Sequence, residues 1–378
     1  MINSALPISM REATGRRKSW AERLHIDAPL LLGLLSIALL GFAILYSAGS
    51  AETALLKRQG VRLGFGVAIM IALAQIPPTR YRQWSPWAYL VSIAMLIAVL
   101  VAGDIGKGAQ RWLDFGVVRF QPSELAKLAV PMMVAWLMSK DAMPPRWWQW
   151  LIGSALIIIP VLLIAKQPDL GTALLVGAAG FFVLFFAGLS WKILIGGGVA
   201  LMPAAWLLWE FGMKDYQRQR VLTFLNPDTD PLGAGYHIIQ STIAVGSGGL
   251  YGKGWTNGTQ SQLDFLPERS TDFIFAVFGE EFGLAGGLLL LALYGFIVGR
   301  GILIAVNAQD SFSRLMAGSL SLTLLIYVFV NIGMVIGLLP VVGVPLPLIS
   351  YGGTAMVTLM AGFGILMAIH THRRLLTK

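Results

Sequence analysis

The stretch Leu266-Pro-Glu-Arg-Ser-Thr-Asp-Phe-Ile-Phe-Ala-Val-Phe-Gly-Glu-Glu-Phe-Gly283 marks where a polar loop gives way to a strongly apolar run. Glu268, Arg269 and Asp272 stand at that boundary, and Glu280 and Glu281 lie two to three turns further in. Ionised groups are costly away from water, so acids in such surroundings need a reason. Ser270 or Asp272 could cap a helix that starts here, because their side chains accept from the free amides of a first turn. Capping accounts for one of these residues and leaves the cluster unexplained. Asp272 is therefore the leading candidate for chemistry.

Working outward, the solvent is set by composition. Of 378 residues, 56% are hydrophobic and only 12% charged, and the mean hydropathy is +0.71. Soluble domains carry about 25% charged residues, so this chain is an integral membrane protein. The net charge of +9 is spread through loops, which suits topology and lipid headgroups better than nucleic acid. The absence of cysteine excludes a disulfide framework, a thiol nucleophile and a Cys-based metal site. The four histidines show no metal-ligand spacing.

A bilayer core needs roughly 20 apolar residues per helix. By that ruler the fold class is an all-α integral membrane protein, a bundle of about ten transmembrane helices. The spans fall at about 28–48, 60–77, 85–102, 122–139, 147–165, 170–188, 191–210, 271–299, 313–337 and 349–370. A large extracytoplasmic loop, 211–270, separates spans seven and eight, within a single membrane domain over 28–370. Residues 1–27 form a basic N-terminal tail and 371–378 a short C-terminal one. The first apolar run, about 29–46, exceeds the 7 to 15 residues of a signal h-region and reads as a retained span. An inside N-terminus puts Arg11, Arg16, Arg17, Lys18, Arg23, Arg80, Arg82, Lys140, Arg146, Lys192, Arg300, Arg314, Arg373, Arg374 and Lys378 in the cytoplasm. These are 15 of the 28 basic residues, mostly in short flanks where the positive-inside bias counts, so both termini are expected inside.

The long outer loop has turn signals at Asn226-Pro227-Asp228 and Asp230-Pro231, and a glycine-rich run over 246–254. That run lacks the order of a nucleotide-binding loop. Residues 236–245 fit an amphipathic helix, with His237, Gln240 and Ser241 on one face and Ile239, Thr242 and Ile243 on the other.

Basic residues on the outer side go against the topology bias and cluster around polar segments. One segment carries Lys107, Arg111, Trp112 and Arg119, followed by Gln121-Pro-Ser-Glu124-Leu-Ala-Lys127. Pro122 suits a first helical turn, so Glu124 and Lys127 share a helix face. They are either a structural ion pair or part of a cavity lining. Lys57, Arg58 and Arg62 stand at the mouth of the second span, where snorkelling is the simpler role. Lys166-Gln-Pro-Asp169 joins spans five and six, with Asp169 placed to cap a helix, and Arg218 and Arg220 add cations from the long loop. Guanidinium and ammonium groups bind phosphate oxygens, so these cations around one carboxylate suit a lipid bearing a phosphate group.

Six ordered motifs then carry a resemblance: Gly106-Lys-Gly-Ala-Gln-Arg-Trp112, Gln121-Pro-Ser-Glu-Leu-Ala-Lys127, Gln167-Pro-Asp-Leu-Gly171, Asp230-Pro-Leu-Gly-Ala-Gly-Tyr236, Phe265-Leu-Pro-Glu-Arg-Ser-Thr-Asp-Phe273 and Pro345-Leu-Pro-Leu-Ile-Ser-Tyr-Gly-Gly353. Over almost the whole chain they resemble the SEDS family (shape, elongation, division and sporulation). The resemblance implies a peptidoglycan glycosyltransferase that polymerises lipid II at the outer face of the bacterial inner membrane. It also implies a class B penicillin-binding protein, a transpeptidase, as partner. It makes Asp272 the essential carboxylate, and Arg58, Arg119, Glu124 and Lys127 polar positions of a central cavity. Lys107, Arg111, Trp112, Arg218, Arg220, Glu268 and Arg269 complete the expected substrate-binding set. A divalent cation, Mg or Mn, bridging the lipid diphosphate is compatible with this chemistry, although no dedicated metal cage is visible. The rival reading is a lipid II flippase, because charges inside a membrane also line transport paths. Its usual signature of inverted repeats is absent from the sequence.

Overall fold

A computed structural model describes residues 23–49, 52–106, 109–114, 119–141, 145–213, 215–227, 234–263, 265–266 and 268–372. Both expected tails, apart from the stretches 23–27 and 371–372, fall outside these residues. Helices dominate. α1 spans Ala28–Ala48, α2 Thr53–Ala74, α3 Pro78–Ala102, α4 Pro122–Met138, α5 Trp147–Lys166, α6 Leu170–Phe186 and α7 Trp191–Leu207. The long loop contains α8 (Asp215–Leu225), α9 (Ala234–Ser247) and the single turn α10 (Thr259–Gln262). α11 (Ile274–Val306), α12 (Ser311–Val335) and α13 (Thr354–Thr371) follow.

Among the described residues, α1, α3, α5, α11, α12 and α13 are long and apolar enough to cross a membrane. Burial sorts them. The most apolar windows of α12 and α13 are 67% and 61% buried, against 28% for α3 and α5, so α12 and α13 lie in the middle and α3 and α5 present their apolar sides outward. α13 packs along α2, α12 lies between α11 and α6, and α4 fills the space between α3 and α6. α1 shows how sequence sets this packing: Leu30, Leu34, Ile37, Gly41 and Ile44 recur every three to four residues and form its buried stripe. That stripe packs on α11.

Two features depart from the expectation. Between α3 and α4 the chain forms a small antiparallel sheet of β1 (Asp104–Gly106), β2 (Ala109–Asp114) and β3 (Arg119–Phe120). α2 starts at Thr53 rather than near 60, so Lys57, Arg58 and Arg62 lie on its first turns instead of in a loop. α9 supplies the short helix expected in the long loop, with Ile238, Ser241 and Ala244 on its buried side. Ser241 is fully buried and donates to the carbonyls of Ile238 and Val335, whereas Ile243 is 46% exposed.

At the end of the bundle where α1 begins, Asp27 caps that helix by accepting from the Leu30 amide. Its carboxylate also accepts two bonds from Arg300 of α11, at 3.1 and 2.6 Å, and lies 3.1 Å from His370 Nε2 of α13. His25 stacks on His372 at 4.1 Å between ring centres, so three of the four histidines gather at this corner. Burial pushes the Asp27 carboxyl up, but the Arg300 hydrogen bond, the Leu30 amide and the charges of His370 and Arg300 outweigh it and hold the carboxyl below its ordinary value of 3.8. A depressed carboxylate stabilises the fold above its unfolded pKa, and that contribution is lost as pH falls through the folded value. Asp27→Asn should therefore melt below wild type at pH 7, and the gap should close as pH drops below about 4. Parallel melting curves of the two proteins across pH would check this, and a gap of constant size would contradict it.

Candidate functional site

The polar face lies at the opposite end, where α2, α4, α6, α11 and α13 begin. Asp272 sits just before α11, whose N-cap is Phe273 rather than Asp272 or Ser270, so the capping role considered for both falls to neither at that position. The segment 270–272 is held by the non-helical stretch between α12 and α13. Tyr351 N donates to the Ser270 carbonyl at 2.8 Å and Ser350 Oγ to the Thr271 carbonyl at 2.6 Å. Asn331 Nδ2, from α12, bridges the carbonyls of Asp272 and Val344 at 2.9 and 2.7 Å. The Asp272 carboxylate is half-buried and lies against Gly343, where an added Cβ would come 3.3 Å from Oδ2. The ring of His237, on α9, stacks on Phe273 at 5.8 Å.

The clamping stretch is itself tied down from several helices. Tyr294 of α11 donates to the Pro347 carbonyl at 2.6 Å, and Gln59 of α2 to the Ser350 carbonyl at 3.2 Å. Gly171 of α6 comes so close that a Cβ there would lie 2.6 Å from the Val342 oxygen. Arg62 places its guanidinium 4.3 Å over the Tyr351 ring, and Arg58 stands exposed one turn earlier on the same face of α2.

Glu124 and Lys127 form the ion pair expected from their spacing, at 2.7 Å, with residue exposures of only 4% and 6%. Glu124 Oε2 has no hydrogen-bond partner among the described residues. Lys127 lies 5.3 Å over the Tyr327 ring and lines a small cavity of about 40 Å³ with Leu320, Thr323, Thr358 and Gly362. The pair thus stands, buried, at the wall of this small cavity inside the bundle.

Other expected residues find separate partners. Arg111 donates to the carbonyls of Gln167 and Pro168 and lies 4.0 Å from Asp169. Asp169 caps α6 through the Thr172 amide and accepts from Gln121 at 3.0 Å, so its capping role holds. Arg119, on β3, pairs with Asp114, on β2, at 2.9 Å, and Trp112 is half-buried on β2. Glu268 is exposed and accepts from Thr271 Oγ1, with Arg269 half-buried beside it. Arg218 donates to the Glu210 carbonyl at 2.8 Å; Arg220 is two residues on along α8, and its side chain lies outside the described residues. Lys107 lies outside the described residues.

The acid cluster of the opening stretch is thus not a single site. Glu280 is fully buried against Lys253, Thr259 and the Gln260 amide, and Glu281 accepts from Ser47 of α1. Sequence reasoning passed over Asn331 and Ser350. The available signals were a lone amide in the apolar α12 and the serine within Leu348-Ile-Ser-Tyr351, a motif quoted above without a role.

Comparison with known proteins places this architecture. Residues 24–375 match the FtsW/RodA/SpoVE family model, described as cell cycle protein. Peptidoglycan glycosyltransferase MrdB of Escherichia coli K12 is 56% identical over 96% of this chain and 98% of its own. The protein of the same name from Helicobacter pylori 26695 is 36% identical over 91% and 89%. Among solved structures, a chain of a peptidoglycan synthase complex that coordinates polymerization and crosslinking superposes with a TM-score of 0.80 at 35% identity, covering 92% of this chain and 99% of that one. The rod shape determining protein RodA of Thermus thermophilus gives 0.69 at 31% identity, covering 91% and 96%. With motifs, helices and full-length similarity in agreement, the chain belongs to the FtsW/RodA/SpoVE family.

Proposed function

We propose that this chain, a peptidoglycan glycosyltransferase of the membrane, polymerises lipid II with Asp272 as general base. The single observation that carries the assignment is the fixing of the 270–272 backbone by Asn331, Ser350 and Tyr351, which holds one half-buried carboxylate at the polar end of the bundle. Glycan growth requires a sugar hydroxyl to attack an anomeric carbon whose leaving group is a lipid diphosphate. A hydroxyl is a weak nucleophile, and a carboxylate within hydrogen-bond reach takes its proton as the bond forms. Charge gathering on the departing diphosphate calls for fixed cations. Arg58, exposed at the mouth of α2, and Lys127, at the cavity wall, are the leading candidates. Arg111, Arg119, Arg218, Arg269, Lys107 and Arg220 serve the approach of the anionic substrate, with Glu124, Glu268 and Trp112 completing the binding set.

Among the described residues no group of three or more His, Asp or Glu could hold a metal. A divalent cation, Mg or Mn, is compatible with this chemistry and would help to neutralise charge on the departing diphosphate. The ten-crossing layout, with the 211–270 loop and Asp272 outside and both termini inside, rests on the helix order and the positive-inside bias. The likeness to a synthase complex supports a class B penicillin-binding protein as partner. Incubating the purified full chain with lipid II should yield glycan polymer. Transfer of lipid II across vesicle membranes without polymer would instead favour the flippase.

A further inference from the structure

α11 is not one helix. At Gly283 the backbone adopts φ 63° and ψ −161°, which splits it into a short half, 274–282, and a long half, 284–306. A continuous helix would join Leu284 N to the Glu280 carbonyl and Ala285 N to the Glu281 carbonyl. Neither bond is made. The glycine-rich loop supplies all four replacements: Leu284 N donates to Gly249 O, Ala285 N to Leu250 O, Lys253 N to Glu280 O and Gly254 N to Glu281 O, at 2.9 to 3.0 Å. The fit leaves no room for side chains, since a Cβ at Gly252 would overlap the Glu281 carbonyl and one at Gly283 the Gly252 nitrogen. A buried charge reinforces the joint: Glu280 is 0% exposed and accepts from Lys253 Nζ at 2.7 Å, Thr259 Oγ1 at 3.1 Å and Gln260 N at 3.0 Å.

The short half-helix runs from this joint to Asp272, two residues ahead of its first turn. Its nine residues span about 14 Å, so a tilt of about 4° at the joint moves the far end by about 1 Å. A displacement of that size can cost about 100-fold in rate. We propose that residues 249–254, through the four backbone bonds and the Lys253–Glu280 pair, set the angle of the half-helix and thereby the place of the Asp272 carboxylate. Lys253 and Gly283 are then positioning residues for glycosyl transfer. This rests on the reading of Asp272 as the base.

The test compares wild type, Lys253→Met, Lys253→Arg, Gly283→Ala and Asp272→Asn as purified full chains, with kcat and KM for lipid II, pH profile and melting temperature. Lys253→Met should lower kcat per folded molecule about 10-fold or more, with KM and pH optimum close to wild type, and should also lower the melting temperature because buried Glu280 loses its counter-ion. Lys253→Arg should restore most of the rate. Gly283→Ala, which favours a continuous helix, should lower kcat further; where it does not fold, the Lys253 variants decide. An unchanged kcat in Lys253→Met, or a loss explained wholly by unfolded protein, would overturn the proposal while leaving Asp272 as the base. Normal polymerisation by Asp272→Asn would remove the base assignment itself, whatever the Lys253 variants do.

Discussion

Replacing Asp272 by Asn should lower lipid II polymerisation by about two orders of magnitude or more, the usual scale of a lost general base. The amide keeps the size of the carboxylate but cannot take the proton of an attacking hydroxyl. Little else should change. The contacts described for this segment run to the backbone carbonyls of Ser270, Thr271 and Asp272 and remain in the variant. Membrane insertion and melting temperature should therefore stay near wild type, which separates chemistry from fold. A variant that polymerises normally would refute the assignment. Glu268, exposed four residues earlier, would then be the next acid to examine, because Glu280 and Glu281 are committed to partners in the interior.

The second large effect concerns Glu124 and Lys127. Removing either partner of a buried pair leaves a charge without its counter-ion, at a cost of about 3 to 5 kcal/mol. Glu124→Ala and Lys127→Ala should each melt well below wild type, and the double variant should recover part of that loss. Activity separates the two readings of the pair. A structural tie between helices would regain activity together with stability. A cavity pair would not, because the double variant still lacks the cation at the wall beside Tyr327. We expect stability to return in part and polymer formation to stay low. Recovery of both, measured for all four proteins in one detergent, would leave only the structural role.

What was legible in the sequence followed the range over which each signal acts. Composition alone declared the membrane, and the three-residue spacing of Glu124 and Lys127 foretold their pairing because a helix brings such residues together. Asp169 as a cap was equally local. The sheet over 104–120 escaped because its longest strand has six residues and its shortest two, too short for alternation to show. The helix α9 was legible but not the side it buries, where Ser241 donates to a carbonyl 94 residues away, at Val335. The break at Gly283 was hidden for a similar reason: glycine is common in membrane helices, and only the loop some 30 residues earlier reveals that this one ends a helix. Lys253 and Glu280 lie 27 residues apart with no pattern to link them.

The stretch between α12 and α13 that holds the Asp272 segment has a practical consequence. Tyr294, Asn331 and Gln59 each reach it from a different helix, and each donates to a carbonyl of its backbone. The stretch thus depends on contributions from three separate helices. An inhibitor need not then mimic the sugar or the diphosphate. A small molecule that parted Gln59 from the Ser350 carbonyl should loosen the hold on the Asp272 segment. The weak point of this protein for a drug is then a joint rather than a pocket.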